Sequence, residues 1–175
     1  MKLPEKIKIA ALAYWQFDKH HPIGAIECKE ADVLTVTRAF MVTETEVKIT
    51  MSDMRGEIKS KRAKHWYMRK GEASNYTKAH YFYFAVPEEL EKKALAAIEE
   101  LYPYAGLLLF KDGEINIYYP ANIRMVRRAK RFIRGKMSQK ELMEIASIST
   151  NTALRYARRV IDYEGYQRDC LRLTS

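Results

Sequence analysis

Apolar residues recur at helical spacing in "IKIAALAYWQF" (7–17), and His20-His21-Pro22 ends that run. The period then changes. Residues 24–28, "ADVLTVT" (31–37) and "MVTETEVKIT" (41–50) read as strands, dense in Val, Ile and Thr, with a hairpin around Arg38-Ala39. Thr50 and Asp53 form a capping box that opens a Lys/Arg-rich helix through about residue 68. "YFYFAV" (81–86), stopped by Pro87, is apolar without a break, as in a strand buried on both faces. An amphipathic helix is expected over 88–102. A hairpin, "GLLLF-KDG-EINIYY", should follow it, with Pro120 closing the body.

After residue 121 the texture differs. "NIRMVRRAKRFIRGK" sets Ile123, Val126, Phe132 and Ile133 among Arg and Lys, with Gly135 as a stop. Ser138 and Glu141 make a second capping box before "LMEIA", and a break at "SIS" leads to "TNTALRYARRVIDY". The pattern predicts three short helices here. The expected fold class is therefore α/β (α+β): a mixed sheet flanked by helices over 1–121, then a basic all-α region over 122–175.

Charge sharpens this division. Residues 1–120 carry 18 Lys and Arg against 17 Asp and Glu, and residues 121–175 carry 13 against 5. The basic excess lies in the helical tail and points to a polyanionic partner, DNA in the first instance. No apolar run reaches the ~20 residues that span a bilayer, so no membrane partner is expected. The first residues lack a signal peptide's apolar core. Cys28 and Cys170 provide neither a disulfide framework nor metal-ligand spacing. A cytoplasmic protein is expected, and a homodimer is allowed.

The third strand raises the chemical question. Side chains alternate along a strand, so Val42, Glu44, Glu46 and Lys48 share one face. One reading is a solvated sheet face with cross-strand ion pairs. The other is an active site. Asp32 opens the neighbouring strand, and two carboxylates on adjacent strands suit Mg²⁺ (or Mn²⁺) that keeps several waters. Lys48, two residues beyond Glu46, would then orient water or stabilise charge on a phosphate.

The order of elements, and above all "TEVKITMSDMRGE" and "FYFAVPEEL" followed by "GLLLFKDGEINIYYPA", resembles the PD-(D/E)XK nuclease superfamily. Within it the chain looks most like the MmcB-like DNA-repair branch, over about residues 23–121. The chain departs from the pattern at Ala31, where a proline would precede the acid. The resemblance implies a restriction-endonuclease-like sheet and a metal-dependent nuclease acting on DNA. Asp32 and Glu46 would be metal ligands, Glu27 an extra acid, and Lys48 the catalytic lysine. His65 fits the family pattern as a group that positions phosphate or water, or else it is a half-buried helix histidine.

Further residues are candidates for DNA contact. Arg55, Lys59 and Arg62 recur as a basic stripe on the helix after the E-x-K motif, against either phosphates or solvent. Arg127, Arg128, Arg131 and Arg134 crowd the start of the tail. "KELMEIASISTNTALRYARRV" resembles a helix-turn-helix, with its turn at Ser149, Thr150–Thr152 and Arg155 toward the major groove, and Arg158 and Arg159 on the backbone. Otherwise these helices cap the sheet and touch phosphates nonspecifically. Two functions stand side by side: a Mg²⁺-dependent DNA endonuclease or repair nuclease, and a noncatalytic DNA-binding protein on a nuclease-like fold.

Overall fold

The computed structural model describes residues 1–71, 79–116, 118–132 and 135–154. Its centre is a six-stranded mixed sheet in the order β1-β2-β3-β4-β5-β6, following the chain. The strands are β1 (Ile23–Cys28), β2 (Ala31–Val36), β3 (Val42–Val47), β4 (Tyr81–Pro87), β5 (Gly106–Phe110) and β6 (Ile123–Arg127). β1–β2–β3 form an antiparallel meander, β3, β4 and β5 run parallel, and β6 returns antiparallel. Helices make the two parallel crossovers, as such connections require.

Among the described residues, five helices flank the sheet. α1 (Leu3–Ala13) ends in a wider helical turn, Tyr14–Asp18, and covers one face with Ile7, Ala10, Ala11, Tyr14 and Trp15. Their partners are Val33, Val47, Tyr83, Ala85, Leu108 and Phe110. The other face lies under α2 (Met51–Ser60), α3 (Arg62–Lys70) and α4 (Glu91–Leu101). Thr50 caps α2 as expected, its side chain accepting from Asp53 N–H at 3.1 Å. The single helix expected through residue 68 breaks at Lys61, whose φ of −116° and ψ of 44° are not helical. Gly71, at φ 70°, closes α3 in the left-handed conformation that glycine adopts freely. Buried Tyr102 ties α4 to α2, donating to Met54 O at 2.7 Å and accepting from Ile58 N–H at 3.1 Å.

The sheet does not stop at Pro120. Its sixth strand is not the expected 114–119 half of a hairpin but residues 123–127, which pair with β5 from Ile123↔Phe110 to Arg127↔Leu107. In strand geometry Ile123 is buried against the α1-side core and Arg124 is exposed. Where the first of the three tail helices was expected, residues 123–127 are a strand and 128–132 are not helical.

The tail helix that is described, α5 (139–154), opens with the expected capping box: Glu141 N–H donates to Ser138 Oγ at 3.3 Å and Ser138 N–H to Glu141 Oε2 at 3.0 Å. It runs unbroken through 147–149, so the turn at Ser149 on which the helix-turn-helix reading depends is absent. Arg155, Arg158 and Arg159 lie outside the described residues. Ile145 and Met137 are buried against Leu34, Val36 and Val42. The described part of α5 therefore caps the sheet.

Candidate active site

β3 is buried along its whole length. Thr43, Thr45 and Val47 face α1, where Trp15 Nε1–H donates to Thr45 Oγ1 at 3.0 Å. Glu44, Glu46 and Lys48 face the opposite way, beneath α2 and α3, with only 4%, 2% and 7% of their surface exposed. The solvated-face reading of this strand is excluded.

Asp32 stands where β2 and β3 part. The ladder ends at Val33↔Thr45, and the next β3 N–H, that of Val47, donates to Asp32 Oδ2 at 2.8 Å. A side chain here takes over from a main-chain partner. The other oxygen, Oδ1, lies 3.0 Å from Lys8 Nζ of α1, which also reaches Glu27 Oε1 at 3.0 Å. Burial alone would lower the Lys8 pKa, but the two carboxylates more than reverse this and raise it. Glu27 itself sits at φ 53°, beside the tight turn in which Lys29 and Glu30 also have positive φ.

Glu46 is held from the helices. Lys61 Nζ lies 2.7 Å and Lys64 Nζ 3.0 Å from its Oε1, and Lys64 also contacts Glu44. Lys48 Nζ reaches Glu57 Oε2 at 2.7 Å, with Asp53 Oδ1 farther off at 3.6 Å. Glu57 Oε1 lies 3.2 Å from Lys61 and 3.5 Å from His65 Nε2, and His65 Nδ1 is 2.7 Å from the Tyr104 hydroxyl. Neither Glu57 Oε1 nor His65 Nε2, both buried, has a hydrogen-bond partner in good geometry.

Titration follows from burial and these partners. Burial pushes the Glu44 carboxyl up to about 7, against the pull of Lys64. Burial acts the same way on Glu57, but His65, Lys48 and Lys61 overcome it and hold that carboxyl well below the usual range. Burial would lower Lys61 and Lys64, yet Glu46 and Glu57 raise the first, and Glu44 and Glu46 the second. Lys48 is likewise raised by Glu57 despite its burial. Desolvation lowers His65, which is neutral at pH 7. Shifted groups concentrate in one buried cluster, a feature that functional sites share with structural ion-pair networks.

The structure thus gathers Glu46, Lys48 and His65 in one cluster beneath α2 and α3, while Asp32 bonds the Val47 N–H and shares Lys8 of α1 with Glu27. The cluster also contains Glu44, Glu57, Lys61 and Lys64, to which the sequence reading gave no role. Met54, Glu57, Lys64, His65 and Met68 are all buried at helical spacing. The other stripe, Arg55, Lys59 and Arg62, is exposed, with Arg55 bound to Glu100 at 3.1 Å.

The basic start of the tail divides. Arg127 donates to Pro103 O at 3.2 Å and lies 3.8 Å from Glu99, a structural role. Arg128 borders a cavity of about 670 Å³ with Tyr14, Lys19 and Tyr83 on the α1 side. Arg131 is exposed, and Arg134 lies outside the described residues.

Among the described residues, no group of three His, Cys, Asp or Glu side chains is arranged to hold a metal ion. In kind, the donors on either side of Val47 suit Mg²⁺: two hard carboxylates from adjacent strands, with water to complete the shell. Each is already paired with an ammonium, Asp32 with Lys8 and Glu46 with Lys61 and Lys64.

No family model matches the chain. No curated protein matches it. A solved structure does: the SPO1766 protein of unknown function from Silicibacter pomeroyi, at a TM-score of 0.56 and 16% identity, covering 94% of this chain and 95% of that one. The likeness is one of fold. No helix among the described residues is long and apolar enough to cross a membrane.

Proposed function

We propose that this chain is a metal-dependent DNA phosphodiesterase, a cytoplasmic nuclease of PD-(D/E)XK type. The observation that carries the reading is the burial of Glu46 and Lys48 side by side on a central strand, with Asp32 bonded to the residue between them. Asp32 and Glu46 are the residues that would hold Mg²⁺ or Mn²⁺. A bound divalent cation would acidify water and polarise the scissile phosphate. Glu57 fixes the Lys48 ammonium through a 2.7 Å contact, and in this reading that ammonium would meet the charge that develops on the phosphate. The exposed Lys59, Arg62 and Arg131, with Arg128, supply phosphate contacts that hold DNA without reading its sequence.

A second reading has its own observation: each acid of the site is already charge-paired by a lysine, as in a noncatalytic DNA-binding protein. One experiment separates the two. Supercoiled, linear, single-stranded and branched DNA are incubated with Mg²⁺, Mn²⁺ or EDTA. A nuclease cuts at least one substrate, and Glu46→Gln and Lys48→Ala each reduce cutting by about 10²–10³-fold or more. DNA binding without cleavage under any metal condition would favour the second reading.

A further inference from the structure

The α3 helix presents two different faces. Lys64 and His65 turn inward onto Phe82, and Met68 is buried beside them. The opposite face carries Arg62, Ala63, Trp66 and Lys70, all exposed. Residues four apart on a helix are neighbours, so Arg62 flanks Trp66 one turn before it and Lys70 one turn after.

Trp66 is unlike the other tryptophan of the chain. Trp15 is 4% exposed and donates to Thr45, whereas Trp66 is 49% exposed. Its ring is nonetheless held in place. Lys70 Nζ lies over it, 4.1 Å from the ring centre, and the Tyr67 ring meets it edge-on at 4.8 Å and 90°. The charge around it is of one sign. Arg62 stands in the first turn of α3, where the helix dipole disfavours a cation, and α3 contains no Asp or Glu. A face built only for solvation mixes the two signs.

A flat apolar ring between two cations suits an anionic strand that carries flat rings of its own. Nucleic acid offers phosphates to the cations and a base to the indole. In a duplex the faces of the bases are closed by stacking on one another, so the base must be unpaired. A lipid surface calls for several apolar side chains on one helix face. Besides Trp66, the exposed positions of α3 hold only Arg62, Ala63, Arg69 and Lys70.

The geometry points to Trp66 as a stacking platform for an unpaired base of single-stranded DNA, with Arg62 and Lys70 holding the phosphates on either side. Lys70 covers one side of the indole and leaves the other for the base. The inference rests on the reading that this chain acts on DNA and deepens it by naming the form of DNA it grips. It requires no metal and places nothing in the carboxylate–lysine cluster.

The test is made on the full chain in EDTA, so that no metal-dependent cleavage intervenes. Fluorescein-labelled oligo-dT, an abasic strand of the same length and a hairpin duplex are compared by anisotropy. Tryptophan emission is recorded as unlabelled oligo-dT is added. Oligo-dT should quench the emission and bind more tightly than the other two. Trp66→Ala should weaken oligo-dT binding by about tenfold or more, with the abasic strand unaffected. Trp66→Phe, which keeps a ring, should retain most of the affinity but lose the quenching. Arg62→Ala should instead lower the slope of log affinity against log salt by about 0.7, the value of one lost single-strand phosphate contact. Thermal unfolding checks that each variant folds. Unchanged oligo-dT affinity in Trp66→Ala would overturn the inference, and so would equal losses for oligo-dT and the abasic strand. Trp66-dependent binding to phosphatidylserine vesicles without binding to oligo-dT would overturn it too, making this face a membrane contact. If Trp66 proves irrelevant while DNA is cut in Mg²⁺, this inference falls and the nuclease reading stands. Trp66-dependent binding of oligo-dT with no cleavage of any substrate would do the reverse.

Discussion

Lys64 spans Glu44 and Glu46, two carboxylates on one face of β3, and is itself 5% exposed. One ammonium serves two buried acids, so their energies cannot be separable. Lys64→Met should cost up to about 3–5 kcal/mol at a pH well above 7, where Glu44 is ionised and left without its partner, and less near neutral pH, where Glu44 takes up a proton. Adding Glu44→Met should recover much of that loss, since replacing a buried ion pair by apolar groups of similar size is often neutral. Denaturant unfolding of the two single variants and the double variant measures the coupling. Additive losses would show that Glu44 and Lys64 do not act as a pair.

Glu57 sets the behaviour in acid. Its carboxyl is held below the ordinary value of 4.5, so the stability it contributes is present above that pH and is lost as pH falls toward the folded value. Each unit of pH below 4.5 should cost up to about 1.4 kcal/mol from this group. Glu57→Gln should be less stable at neutral pH and lose less on acidification. Thermal unfolding between pH 5 and pH 2 checks it, and equal slopes for the two proteins would refute it.

His21 acts at a higher pH. Its ring stacks on Trp15, its Nδ1 lies 2.8 Å from Thr35 Oγ1, and burial lowers its pKa from 6.5 to about 4. The unfolded chain takes up this proton first, so stability is full above pH 6.5 and declines as pH falls toward 4. The loss should approach about 3 kcal/mol over that window. His65, also lowered by burial, adds a loss of the same sign. In His21→Gln the midpoint of unfolding should depend less on pH between 6.5 and 4, while His65 keeps part of the slope.

Gly106 makes room for Tyr83. A Cβ at this position would run into the Tyr83 ring and lie 2.7 Å from Ala129 N, a backbone atom that cannot swing aside. Gly106→Ala should therefore destabilise by about 1–3 kcal/mol, as overpacking does. Calorimetry of the variant reads this directly, and a stable variant would show that β5 and the segment after β6 shift easily.

The period-2 pattern of β1–β3, the apolar run of β4, both capping boxes and the amphipathic α4 were legible from residue type alone. β6 was not, because "IRMVR" sets its arginines three residues apart, a helical spacing, and only its pairing with Leu107–Phe110 makes it a strand. Glu46 and Lys48 stood out by their alternation, and Asp32 by its place at a strand start. Lys61 and Lys64 did not. On a sequence they belong to a general basic helix, and the stripe 55/59/62 looked as good as the stripe that packs inward. Which face of α2 and α3 turns to the sheet depends on Met54 and Met68 reaching Phe82, a contact between distant segments.

The position of β6 also governs solubility. β5, "GLLLF", is buried at all five residues, and β6 covers its outer edge. Arg124 and Arg127 on β6 are tied to Glu91 and Glu99 of α4, so the strand that ends the sheet carries charge along its rim. Charged rims of this kind discourage strand-to-strand association between molecules. A chain cut at residue 121 would discard that rim and bare an apolar strand with open main-chain donors and acceptors. What remained would be a template for intermolecular sheet growth rather than a smaller folded domain.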